Sequence, residues 1–100
     1  MAQKVCMALL SIPHAAKEEH KQRVLFSCSR EAVAKRAYEH WVEPDMVEGG
    51  WISDYDKYEG EGDWIPHLQK LAEESMYEEA VREVWDGDNG EWFEIFEGEL

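Results

Sequence analysis

The residues best spaced for chemistry in this 100-residue chain are DGDNGEWFEIFE, positions 86–97. Read as a calcium loop, Asp86, Asp88 and Glu97 fill ligand positions one, three and twelve. Gly90 then stands at the fifth position, where an oxygen ligand is needed, and Glu91 at the sixth, where glycine makes the sharp turn. A helix should follow, whereas EWFEIFEGEL reads as a strand. A polar turn, DGDNG, leading into a strand is the expectation. His14, His20, His40 and His67 include no pair at the spacing that places two imidazoles on one helix face. Cys6 and Cys28 lie in apolar, strand-like runs, which argues inert buried thiols rather than nucleophiles. No Gly-x-Ser-x-Gly elbow and no glycine-rich phosphate loop occurs. Catalytic residues, cofactor and metal are therefore all expected to be none, and the chain is read as a non-enzyme.

What remains is charge. The formal net charge is −13, beyond the magnitude of about 2–8 that suits a small soluble domain. Residues 1–42 carry seven Lys and Arg against four Asp and Glu, and residues 43–100 carry three against nineteen, a net of −16. Such a half repels a phosphate backbone and steers toward a basic protein surface. Its densest part is residues 43–63, with eight carboxylates and one Lys. Glycines at 49, 50, 60 and 62 argue against a regular helix through most of it. A solvated linker would seldom carry Trp51, Ile52, Tyr55 and Tyr58. Aromatics among carboxylates can seat in pockets while the charges pair with Lys or Arg. The expected partner-binding residues are Trp51, Asp54, Tyr55, Asp56, Tyr58, Glu59, Glu61 and Asp63.

The elements that position these residues follow from periodicity. KVCMALLSI (4–12) and KQRVLFSCS (21–29) read as strands joined by the polar loop PHAAKEEH. A hairpin symmetric about Lys17 would set Leu10 opposite Val24, Ala8 opposite Phe26 and Cys6 opposite Cys28, all on the core face. The cysteines could then bridge, but buried thiols are preferred on the expectation of a reducing, cytoplasmic home. Ser29 caps a helix, REAVAKRAYEHW, whose Val33, Ala34, Ala37, Tyr38 and Trp41 share one face. Asp63 is placed to cap a helix from Trp64. The apolar stripe Trp64, Ile65, Leu68, Leu71, Ala72 does not continue past Glu74, and a new one begins at Met76. Two helices are therefore expected, the second opened by a capping box of Ser75 and Glu78. The final strand spans 91–97. The result is one α+β domain over 1–100, a small antiparallel three-stranded sheet with two to three helices, in the order β-β-α-loop-α-α-β. No apolar run is long enough to cross a membrane, and either a monomer or a dimer fits.

Length, α+β class and the aromatic-acidic block WISDYDKYEGEGDW resemble the small acidic inhibitors made by bacteriophages, the anti-CRISPR and DNA-mimic anti-restriction proteins. The resemblance is one of type, and the basic first half departs from mimics that are acidic throughout. It implies non-catalytic block of a nucleic-acid-binding surface in the cytoplasm of a bacterial host, with a host nucleoprotein such as a CRISPR effector complex as partner and no direct contact to nucleic acid. The alternative is a small adaptor or regulatory protein that binds through its helices, with the acidic segment only solvated.

Overall fold

Residues 3–12, 21–58, 62–85 and 91–99 are described by a computed structural model of the chain. Strand β1 (Lys4–Ile12) alternates strictly, with Cys6, Ala8, Leu10 and Ile12 buried and Val5, Met7, Leu9 and Ser11 turned the other way. It is the middle strand of a three-stranded antiparallel sheet, between β2 (Lys21–Ser27) and β3 (Trp92–Glu99). The strand over 91–97 is thus present, runs slightly longer than expected, and shares the sheet of the hairpin.

The hairpin register differs from the symmetric expectation by one residue. Leu10 faces Arg23, Ala8 faces Leu25 and Cys6 faces Ser27. With side chains alternating every residue, that slip turns Val24 and Phe26 out of the core, and they are 44% and 54% exposed. Cys28 is exposed rather than buried, and both thiols are free. VLF places three apolar residues in a row, so period two alone does not choose between Leu25 and the pair Val24 and Phe26. The loop PHAAKEEH and the turn DGDNG lie outside the described residues.

Helix α1 (Arg30–Ala37) starts where Ser29 accepts a hydrogen bond from the Ala32 backbone N–H at 3.1 Å, the N-cap expected from sequence. It runs into a π-helical turn, Tyr38–Val42, and a 3₁₀ turn, Glu43–Met46, that contains Pro44. The expected face packs onto the sheet: Val33, Ala34, Ala37, Tyr38 and Trp41 are all buried, and Trp41 meets Phe93 of β3 edge to face at 6.3 Å. The π-turn lets the adjacent Trp41 and Val42 both reach the core.

Two further helices, α3 (Trp64–Glu73) and α4 (Tyr77–Trp85), break as expected at Glu74–Ser75. The capping box does not form there. Ser75 instead takes a left-handed backbone, φ +60°, and its N–H closes the end of α3 on the Ala72 carbonyl at 3.0 Å. Glu78 turns to arginines: Arg30 of α1 grips it through Nε and Nη2, each at 2.9 Å, and Arg82 approaches at 3.1 Å. Arg82 also donates to Glu94 at 2.9 Å and to the Phe93 carbonyl at 2.9 Å. This network ties α1, α4 and β3 together. It holds Glu78 below the usual carboxylate range, first through the Arg30 hydrogen bond and then through Arg82.

Candidate binding surface

The acidic segment does not stay a loop. It contains a helix, α2 (Trp51–Tyr58), so the described chain has four helices where two to three were expected. The glycines bracket this helix instead of interrupting it. Gly49 has φ +87°, and a Cβ on Gly50 would stand 2.5 Å from the Asp45 carbonyl oxygen. These two positions make the turn that delivers the chain to Trp51. The Gly50 N–H donates to Val47 at 2.9 Å, and the Asp54 N–H then donates to Gly50 at 2.9 Å. Asp45 sits inside this bend, and burial pushes its carboxyl up, against a smaller opposing pull from Arg23.

Spacing of three and four sorts the side chains of α2 by face. Ile52 is fully buried and Asp56 is 8% exposed, so these two face inward. Trp51 and Tyr55 are 41% and 42% exposed, with ring centroids 6.1 Å apart. Trp64, at the start of α3, meets Trp51 at 5.6 Å and Tyr55 at 4.7 Å, both close to edge-on. Beneath them Trp85 stacks on Trp51 at 5.1 Å and 22°, and its indole Nε1–H donates to the Trp41 carbonyl at 3.1 Å. Four aromatic rings thus run from the core to the surface. The outer ones are backed by packed neighbours, which makes them rigid contact area. Their centroid separations leave no gap for a cation between rings, so this is a raised plate and not a cage.

The expected site residues divide accordingly. Trp51, Asp54 and Tyr55 share exposed positions on α2, and Asp63 is exposed just before α3. Tyr58 closes α2. Glu59 and Glu61 lie outside the described residues. Asp56 is a correction: its Oδ1 accepts the backbone N–H of Trp64 at 2.9 Å, so it caps α3 and is not offered to a partner. Asp63, expected as that cap, makes no capping bond. Trp64 is half-buried and packs against the core, as its place in the apolar stripe of α3 implies, and its ring also meets those of Trp51 and Tyr55. A helix over 51–58 makes Trp51 and Tyr55 neighbours by its own spacing, whereas Trp64 joins them only through the packing of α3 on α2. Among the described residues no cluster of His, Cys, Asp and Glu has the arrangement of a metal site. No helix is long and apolar enough to cross a membrane.

No family model matches the chain, and no curated protein and no solved structure is significantly similar to it.

Proposed function

We propose that the chain is a non-catalytic inhibitor whose acidic half seats on the Lys- and Arg-rich nucleic-acid-binding groove of a host nucleoprotein, such as a CRISPR effector complex, and blocks access of DNA. The observation that carries the reading is the aromatic plate of Trp51, Tyr55 and Trp64, part-exposed in a half-chain of net −16. Apolar anchors with a carboxylate rim suit a partner that expects bases and phosphates. The carboxylates steer association and the rings resist dissociation.

The test is displacement of labelled DNA from a purified CRISPR effector complex by the intact chain. Y55A and the pair D54K/D63K, all at exposed positions, should each weaken inhibition at least about tenfold while the fold is kept. Added salt should slow association far more than it speeds dissociation. Full displacement by the D54K/D63K/Y55A variant would remove the role of this surface and favour an adaptor that binds through other helix faces.

A further inference from the structure

The sheet has two faces, and helices cover one. Its other face is apolar: Val24 and Phe26 on β2, and Trp92 and Phe96 on β3, are 42–54% exposed. Val5, Met7 and Leu9 of β1 lie between them, half-buried. Together these side chains leave about 450 Å² of apolar surface, within the range of functional patches on small proteins. The smallest dimension of the molecule, 21 Å, fits one sheet layer and one helix layer, and among the described residues no element packs on the outer face of the sheet.

We propose that a second copy of this chain covers that face, sheet against sheet. Three observations select this occupant. The first is pattern: Met7 pairs with Phe26 on one side and Phe96 on the other. A two-fold axis parallel to β1 would lay Phe26 over the partner's Phe96 and Met7 over the partner's Met7, as an isologous interface requires. The second is charge. On a chain of net −13, Glu94 is the one ionised group among the described outward positions of the three strands, and it is bonded to Arg82 at 2.9 Å. Two copies can therefore meet here with their carboxylate-rich helices on the far sides. The third is the state of the edges. Arg36 donates to the Phe26 carbonyl and Arg82 to the Phe93 carbonyl, each at 2.9 Å. Both edge strands thus have an outward acceptor occupied, which opposes strand addition and leaves face packing.

Area sets the strength. Two such faces bury about 900 Å², below the roughly 1,200 Å² where stable interfaces begin, so a dissociation constant of about 10 µM or weaker is expected. The dimer stands independently of the acidic surface and would present two copies of it back to back.

Sedimentation of the intact chain from about 5 to about 500 µM tests this by mass action. The mass should climb from 11.7 kDa toward twice that value. Salt should favour the dimer several-fold by screening the repulsion of two negative chains, opposite to its effect on binding through carboxylates. F26Q/F96Q should raise the dissociation constant at least about tenfold. In the unmodified protein, amide shifts between dilute and concentrated samples should map to Val24, Phe26, Met7, Trp92 and Phe96, a readout that needs no variant. A constant 11.7 kDa overturns the proposal and leaves the face to a different protein. Shifts centred on Trp51 and Tyr55, or a dimer indifferent to F26Q/F96Q, overturn it equally.

Discussion

Asp54 and Asp56 are two residues apart in one acidic run, yet the structure gives them opposite jobs. Replacing Asp56 by Ala removes the acceptor that holds the Trp64 N–H at 2.9 Å, at a side chain only 8% exposed. Loss of a helix N-terminal acceptor costs about 0.5–2 kcal/mol. An N–H left unsatisfied where water enters poorly can cost about 1–3 kcal/mol. Relief of a carboxylate in the last turn of α2 offsets part of this, by about 0.3–1 kcal/mol. The expected net loss is about 1–2 kcal/mol, which for a domain of this size lowers Tm by roughly 5–15 °C. Asp54→Ala, at an exposed position, should stay within about 0.5 kcal/mol of the parent. Asp56→Asn keeps an oxygen acceptor and should recover at least half of the loss. Urea unfolding followed by tryptophan fluorescence measures all three. Equal stability of D56A and D54A would refute the assignment of Asp56 as a cap, and with it the division of the acidic run into structural and exposed carboxylates.

Ser75→Gly should stabilise by about 0.5–1 kcal/mol, because glycine holds φ +60° without the Cβ penalty; thermal melts decide. Gly50→Ala should cost about 1–3 kcal/mol, since its Cβ would fall 2.5 Å from a backbone oxygen that must then move; the same melts check it. Glu78 has a folded pKa below its unfolded value, so its contribution is present above about pH 4.5 and is lost as pH falls through the lowered folded value. Stability should decline from about pH 5 toward pH 3, and E78Q should lower stability at pH 7 by about 1–2 kcal/mol while flattening that decline. Asp45, pushed upward by burial, works in the opposite sense and moderates the slope. Urea titrations at several pH values separate the two.

How far the sequence could be read depended on whether one period or two explained a segment. The inner row of β1 and the buried face of α1 each fit one period, and both stand as expected. The break between α3 and α4 was visible because the apolar stripe changes side at Glu74–Ser75. In β2 the run VLF satisfies both registers, and the choice is made by pairing partners that lie outside the strand. Helix α2 is concealed by the glycines at 49, 50, 60 and 62, which read as breakers of the whole acidic stretch although 51–58 contains none. The cap of α3 could not be found locally, since it comes from Asp56 and not from the residue next to the helix.

The central strand is made before both of its neighbours and is completed last. Lys4 lies across from Glu99, so the two paired strands come from opposite ends of the 100-residue sequence. During synthesis, β1 and β2 can form a hairpin early, but one side of β1 stays open until β3 has also been made. Closing so long a loop makes the β1–β3 pairing the slow part of folding compared with the local hairpin. Until then the cell holds a nascent chain with Ala8 and Leu10 lacking Ile95 and Phe93 opposite them. A circular permutant that joins β3 to β1 through a short linker would make both pairings local, and it should fold faster than the parent with the same sheet.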